Sequence, residues 1–216
     1  MRTSSPGRTT RLDVLAGGVA TAALALTAAA CGSSTPSAAP AASATSSHHA
    51  MASHHPMAES AQFGSDCGMV PATGMGSFHG MSMDPVVTAA SHNPLLTTLA
   101  RDLKTAGLTT SLDTMHTITV FAPANSAFRK LSASQMSMMH STAELAKVLK
   151  YEVVTGRVTP TELAHGMTLD TLEGSPLKTS KMGSVYEVNN ADVICGNIKT
   201  ANATVYVISK VLTPMH

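Results

Sequence analysis

The chain is poor in aromatic and charged residues. Among its 216 residues none is Trp, aromatic residues make up 3% and charged residues 12%, and the formal net charge is +1. A nearly neutral chain offers no electrostatic case for a nucleic-acid partner, which requires a clustered basic face. The length fits one folded domain with appended segments better than two separate cores.

Sequence motifs that carry enzyme chemistry are also missing. The chain contains no Gly-x-Ser-x-Gly elbow, no His-Glu-x-x-His pair and no phosphate-binding loop. Asp170 and Glu173 stand three residues apart, but they straddle a predicted strand end and a turn, so nothing fixes them on one face. We interpret them as solvated charges and predict a protein without catalytic residues.

The N-terminus has the layout of an export signal. Arg2, Arg8 and Arg11 precede an uncharged, apolar run over 14–30, and small residues stand directly before Cys31. This pattern predicts a lipoprotein-type signal peptide over 1–30 and lipidation of Cys31, with ordinary cleavage after Ala30 as the alternative. Two acyl chains on one Cys hold a protein on a bilayer, so we expect membrane lipid to be one partner.

The other two cysteines are predicted to form a disulfide. If Cys31 carries lipid, Cys67 and Cys195 are the pair that remains in an exported chain, where disulfides persist. Closing so long a loop stabilises a fold by roughly 4–5 kcal/mol in the chain-entropy account. Two unpaired thiols are the alternative.

Between Cys31 and the first predicted helix the sequence favours a tether. Residues 31–65 are mostly Ser, Ala, Pro, Thr and His with almost no large aliphatic residues, which is typical of a disordered segment. Residues 66–83 are rich in Gly and Met, which predicts an irregular segment docked on the domain through Cys67.

Methionine and histidine are concentrated in these two segments. The residues are His48, His49, Met51, His54, His55 and Met57 in the tether, followed by Met69, Met75, His79, Met81 and Met83. Thioethers and imidazoles are ligands suited to copper, above all Cu(I), so a copper site within 48–57 is one hypothesis. The alternative is drift in a low-complexity tether, with Met as a core filler inside the fold. No other cofactor is expected.

The stretch 117–128, Thr-Ile-Thr-Val-Phe-Ala-Pro-Ala-Asn-Ser-Ala-Phe, predicts a strand that runs directly into a helix. Its β-branched and aromatic residues suit a buried strand. Pro123 has no amide hydrogen and is expected to end that strand. Asn125 is expected to cap the helix that follows, with Phe128 on the buried side of its first turn.

The flanking sequence predicts helices before this stretch and mainly strands after it. Helices are expected after Asp84-Pro85, over 95–106, after a capping box at Ser141–Glu144 and after Thr159-Pro160. Strands are expected over Tyr151–Val154, 168–172, 177–180, 185–188, 193–195 and 204–208, with Gly196-Asn197 among the turns. Helices followed by strands indicate an α+β fold.

Three segments resemble, in order, the signatures of the fasciclin-like domain. They are 117–128, the central Tyr151-Glu-Val-Val-Thr-Gly-Arg-Val158 and the closing 201–214. The resemblance implies one domain over 84–215, a wedge-shaped and mostly antiparallel β-sandwich with helices along one side. Its motif core comprises Thr119, Phe121, Pro123, Asn125, Phe128, Tyr151 and Gly156. The chain is most similar to the secreted and lipid-anchored fasciclin surface antigens of mycobacteria and related actinobacteria, which have Cys at both places of the expected disulfide.

The resemblance implies binding of surface molecules or matrix, without catalysis. In animal members a central Tyr-His pair is tied to receptor recognition, but this chain has Tyr151-Glu152, so that role does not transfer. Tyr206 and Ser209 replace the usual His and Asp of the closing strand. We expect both tyrosines to be core aromatics with hydrogen-bonded hydroxyls.

The sequence thus predicts an exported, monomeric cell-envelope lipoprotein on the outer face of the cytoplasmic membrane. It would present its domain for adhesion to, or binding of, a surface or matrix protein. The alternative is an envelope copper-binding protein in which the Met/His arm is the working part.

Overall fold

The computed structural model describes residues 61–214, apart from the side chain of Met138. Its helices are α1 (Phe78–Met83), α2 (Val86–His92), α3 (Thr97–Thr105), α4 (Thr109–Thr114), α5 (Asn125–Phe128), α6 (Ala133–Met138), α7 (Thr142–Tyr151) and α8 (Pro160–Ala164). Its strands are β1 (Ile118–Pro123), β2 (Val153–Thr155), β3 (Thr168–Asp170), β4 (Pro176–Met182), β5 (Val185–Val188), β6 (Ala191–Lys199) and β7 (Ala203–Ile208). A 3-10 turn at Cys67–Met69 precedes α1. No helix in this range is long and apolar enough to cross a membrane.

The strands form one sheet in the order β2-β1-β7-β6-β5-β4-β3. β1 and β7 run parallel, whereas the other neighbouring strands are antiparallel. The two edges also approach each other, because Val154 of β2 bridges to Thr171 and the Leu172 N–H donates to the Val153 carbonyl at 2.8 Å. The strands therefore make a single, nearly closed sheet with helices, which does not confirm the expected β-sandwich.

Two hydrophobic cores lie on opposite faces of the central strands. Side chains alternate across a strand, so Val120 of β1 packs with the helices whereas Phe121 packs in the second core with Tyr206. Every residue of β1 and of β7 is buried. Burial on both faces explains why these two segments are nearly continuous apolar runs rather than alternating ones.

The segment 66–83 is more regular than expected, because it contains α1. The Ser77 side chain accepts the Gly80 N–H at 3.0 Å and so caps this helix. Met81 is buried and its sulfur accepts a hydrogen bond from the Asn93 side chain at 3.3 Å. The helix was not predicted because Met81 is its one buried residue, so the segment lacks the apolar periodicity of a longer amphipathic helix.

The predicted disulfide is confirmed, and the chain docks on β6 before it reaches Cys67. Cys67 and Cys195 are bonded, with their Cα atoms 4.9 Å apart. The Gly196 N–H donates to the Phe63 carbonyl at 2.7 Å. A Cβ on Gly196 would lie 2.4 Å from the Phe63 ring, so the glycine makes room for it. Residues 61–65, expected in the tether, therefore lie on the sheet.

Two predictions around α7 are wrong. Tyr151 is the last residue of α7, and β2 begins only at Val153. Tyr151 and Val153 therefore enter different cores instead of sharing one face of a strand. Ser141 precedes α7, but its side chain makes no capping hydrogen bond. The capping boxes form instead before α6 and, as the Thr159-Pro160 start suggested, before α8.

Gly196-Asn197 is not a turn between strands. Both residues lie within β6, where the pairing with β7 shifts register between Cys195 and Ile198. Asn197 has a φ of +61°, a left-handed conformation that Asn tolerates better than most residues. Turn-forming residues here mark a β-bulge rather than a chain reversal.

Candidate partner-binding surface

Most signature residues are buried in the fold, whereas Asn125 is half-buried and Gly156 is exposed. The Thr119 hydroxyl donates to the Gly156 carbonyl at 2.8 Å and accepts the Val158 N–H at 2.8 Å. Gly156 has a φ of +93°, which favours Gly at this turn. Thr119 thus ties β1 to the chain that leaves β2 and has no exposed atom to offer a partner.

Asn125 caps a different helix from the one expected. Its Oδ1 accepts the N–H of Thr98, the second residue of α3, at 2.9 Å. Its Nδ2 donates to the Pro94 carbonyl at 2.8 Å, and its backbone N–H donates to the Leu95 carbonyl at 2.8 Å. The residue before α3 is Leu96, which has no side-chain acceptor. Asn125, which follows β1 in the chain, supplies the missing cap.

The apolar signature residues belong to the two cores. Phe121 stacks on Tyr206 with ring centroids 5.8 Å apart, and Phe128 packs with the helices. Pro123 is the last residue of β1 and pairs with Ile208 of β7. These side chains position the strand and the helices, and none of them is exposed.

Both tyrosines are core aromatics with bonded hydroxyls, which confirms the prediction. The Tyr151 hydroxyl donates to the Pro176 carbonyl at 3.1 Å and accepts from the Asn189 side chain at 2.8 Å. The Tyr206 hydroxyl donates to the Val158 carbonyl at 2.8 Å. Burial raises the pKa of both phenols above the ordinary value, so each remains a neutral donor.

Glu152, the departure from the Tyr-His pair, is a buried carboxyl, which its sequence context did not predict. Its Oε1 accepts the Leu212 N–H at 2.8 Å, and its Oε2 has no hydrogen-bond partner among the described residues. Removal from water raises the pKa of Glu152 well above its ordinary value, and the Leu212 bond opposes this shift only in part. Glu152 thus contacts the segment that follows β7.

The exposed apolar side chains of the sheet are concentrated at the β4–β5 hairpin tip. Met182 and Val185 face each other across the two-residue turn Gly183-Ser184, and they are 68% and 42% exposed. Gly183 has a φ of +61°, which such a tight turn requires. We refer to residues 181–186 as the hairpin tip.

Aromatic packing connects the hairpin tip to the second core. The Tyr186 ring lies 4.5 Å from that of Phe63, and the Lys181 ammonium lies 4.7 Å from the Tyr186 centroid. Phe63 in turn contacts Tyr206 of the second core, with centroids 6.2 Å apart. The docked segment therefore connects the hairpin to the interior. Met and Tyr are residue types enriched at the centres of protein interfaces.

The other predicted site residues give no assembled centre. Within residues 61–214 no three His, Cys, Asp or Glu side chains are grouped to hold a metal ion. Glu173 Oε2 accepts the Ser175 N–H at 3.1 Å in the turn after β3. The predicted lipidation site Cys31 and the proposed copper ligands His48, His49, Met51, His54, His55 and Met57 lie outside the described residues.

Sequence comparison relates most of the folded region to known proteins. A profile of the fasciclin domain matches residues 94–214. Immunogenic protein MPB70 of Mycobacterium bovis is 43% identical over 148 residues, which cover 66% of this chain and 75% of MPB70. Cell surface glycolipoprotein MPB83 of the same species is 41% identical over 148 residues, which cover 66% of each chain.

Comparison with solved structures gives the same fold. A FAS1 domain pair from the insect cell adhesion molecule fasciclin I aligns with a TM-score of 0.53 at 14% identity. The match covers 62% of this chain and 52% of that one. At this low identity the likeness concerns the fold alone.

Proposed function

This chain belongs to the fasciclin domain family, and we propose that it is an exported cell-envelope lipoprotein that presents its domain to a protein or matrix partner. The observation that carries the proposal is the 41–43% identity to an immunogenic protein and a cell surface glycolipoprotein of mycobacteria. The charged N-terminus, the apolar run that follows it and Cys31 are independent support for export and lipid anchoring.

The proposed activity is binding without chemistry. Thr119, Tyr151 and Tyr206 are buried and hydrogen-bonded, so their roles in the interior support a scaffold rather than a reactive cleft. A scaffold of this kind acts through what it leaves exposed. We assign partner contact to the hairpin tip, where two large apolar side chains are exposed on a pair of hydrogen-bonded strands.

We propose that the domain is attached to the membrane through its N-terminal segment. Lipid on Cys31 would hold the chain at the membrane. The bond between Cys67 and Cys195 and the docking of Phe63 on β6 fix where the arm enters the domain. Because Phe63 also contacts Tyr186, the entry point lies beside the hairpin that we assign to the partner.

Photo-cross-linking on intact cells tests this assignment. A photoreactive residue replaces Met182 in the full chain, and a matched variant carries it at the exposed Ser111 of α4. We expect a discrete adduct from position 182 that is absent from position 111. An added purified domain should suppress it, whereas the same domain with Met182→Ser and Val185→Ser should not. Absence of an adduct at 182, or the same adducts at both positions, would contradict the assignment.

A further inference from the structure

We propose that Met75, His79 and Met83 form a Cu(I)-binding site on the surface of the domain at α1. The three side chains line one open cavity of about 560 Å³, together with the turn before the helix. This site lies within the folded region and is distinct from the Met/His arm at 48–57. It also goes beyond the partner binding assigned to the hairpin tip.

Two of the ligands share a helix face. His79 and Met83 are four residues apart in α1, which places neighbouring side chains one turn above the other. Met81, between them, points the opposite way. It is 1% exposed, and its sulfur already accepts a hydrogen bond from Asn93. The helix therefore divides its methionines into one for the core and one for the cavity.

The third ligand comes from a turn that lies directly against the helix. A Cβ on Gly80 would be 2.3 Å from the Gly74 carbonyl oxygen and 2.6 Å from the Met75 Cα, so this contact requires Gly at position 80. The Ser77 hydroxyl fixes the turn, because it donates to the Gly74 carbonyl at 2.6 Å and accepts the Gly80 N–H at 3.0 Å. Met75 is thereby held on the flank of α1, beside the face that carries His79 and Met83.

Exposure argues against a packing role for these methionines. Met75 is 56% and Met83 72% exposed, so neither gains the stabilisation that burial of a Met side chain brings. The interpretation of Met as core filler holds for Met81 and does not hold for this pair. A single exposed apolar side chain is ordinary on a protein surface. Two thioethers and an imidazole line this cavity without a cationic neighbour, whereas the cavity lined by Met136, Met139 and His140 also contains Arg101.

The donor atoms select the metal. Thioether sulfur is a soft ligand that suits Cu(I), and imidazole binds copper as well, whereas Mg²⁺ and Ca²⁺ prefer carboxylates and carbonyls. No Lys or Arg lines the cavity. Asp84 does line it, and its carboxylate lies 3.6 Å from the His92 ring. The nearest formal charge in the cavity wall is thus negative, which favours a cation.

A Cu(I) competition titration tests the site. The mature full-length chain is used with its arm ligands replaced by Ser, at positions 48, 49, 51, 54, 55 and 57, so that the arm cannot compete. Cu(I) is supplied anaerobically as its acetonitrile complex, without thiol reductant, against a colorimetric Cu(I) chelator. We expect one bound equivalent. Met75→Leu with Met83→Leu should weaken binding about tenfold or more, since even loss of an outer-shell partner costs that much.

A matched double variant controls for the loss of methionine itself. Met69→Leu with Met167→Leu removes two exposed thioethers elsewhere on the described surface and should leave the affinity unchanged. Methyl NMR with Ag(I) as a redox-inert probe then locates the site. The Met75 and Met83 methyl signals should shift, and the buried Met81 signal should not. No binding by the arm-substituted chain, or binding insensitive to Met75→Leu with Met83→Leu, would overturn the proposal.

Discussion

Buried polar side chains connect segments of this domain that are distant in sequence. Thr119 bridges β1 to the chain after β2, and Asn125 caps α3 from 27 residues further along the chain. The residue types were predictable from the sequence, but their partners were not. A capping rule is local, so it assigned Asn125 to the helix it begins rather than to the uncapped one beside it in space.

Replacing Asn125 tests the cap across β1. Asn125→Ala removes the acceptor for Thr98 N–H and the donor to the Pro94 carbonyl, so we expect the free energy of unfolding to fall by about 1–3 kcal/mol. Chemical denaturation measures the change. Asn125→Asp keeps the acceptor at the helix N-terminus and should lose less. Equal stability of the Ala variant and the parent would show that the cap contributes nothing.

Glu152 makes stability depend on pH in a defined direction. Its pKa is raised in the fold above the ordinary 4.5, so the folded chain retains a proton that the unfolded chain has released. Stability from this group is therefore greatest below that ordinary pKa and falls as pH rises towards the folded pKa. Glu152→Gln lacks this titration. The variant should gain stability relative to the parent between acidic and mildly alkaline pH, as measured by denaturation at each pH.

Glu162 provides a control of opposite sign. Hydrogen bonds from Thr159 lower the pKa of this exposed carboxylate, so its stabilising effect is present above the ordinary 4.5 and is lost as pH falls. Glu162→Gln should therefore lose stability relative to the parent as pH rises. If both Gln variants follow the same pH trend, the account of Glu152 is wrong.

At the scale of elements, β6 fixes the N-terminal segment to the sheet. The count of cysteines predicted the bond from Cys67 to Cys195, but nothing in 61–65 predicted the docking of Phe63. That stretch has the composition of a tether and one large aromatic residue. The Phe63 ring occupies space next to Gly196 of β6 that exists because glycine has no side chain. A sequence pattern reveals which residues are apolar enough to pack, but it does not reveal where the fold leaves space for them.

Gly64→Ala tests this docking. Gly64 has a φ of +121°, and a Cβ there would lie 2.3 Å from the Ile194 carbonyl oxygen, so we expect a loss of about 1–3 kcal/mol. Hydrogen exchange should quicken at the Gly196 N–H, which donates to Phe63. Gly68→Ala is the matched control, since no atom lies within 4 Å of its Cβ position. Unchanged exchange in the Gly64 variant would argue against docking.

Removing the disulfide should destabilise the domain more than any of these substitutions. Cys67→Ser with Cys195→Ser opens a link across 128 residues, for which the chain-entropy account predicts a loss of roughly 4–5 kcal/mol. Denaturant titration measures it, with reduced parent protein expected to match the variant. Cys31→Ser should leave the unfolding midpoint unchanged. A double variant as stable as the oxidised parent would contradict the prediction.

At the scale of the whole molecule, the sequence predicted the elements better than their pairing. The α+β order and the late strands follow from periodicity and turn residues, and the observed β5 coincides with the predicted 185–188. The parallel pairing of β1 with β7 does not follow from them. Periodicity indicates that a segment is a buried strand and is silent on its neighbour, so a nearly closed sheet could not be distinguished from a sandwich.

The location of the mature protein tests the central claim most directly, because presentation of the domain to a partner depends on anchoring at the cell envelope. Cells that express the parent or Cys31→Ala are labelled with a fatty-acid analogue, and membranes are separated from the medium. We predict a labelled parent in the membrane fraction and an unlabelled variant, correctly folded, released from the membrane. An unlabelled parent in the medium, or a Cys31→Ala variant that stays in the membrane, would contradict this account.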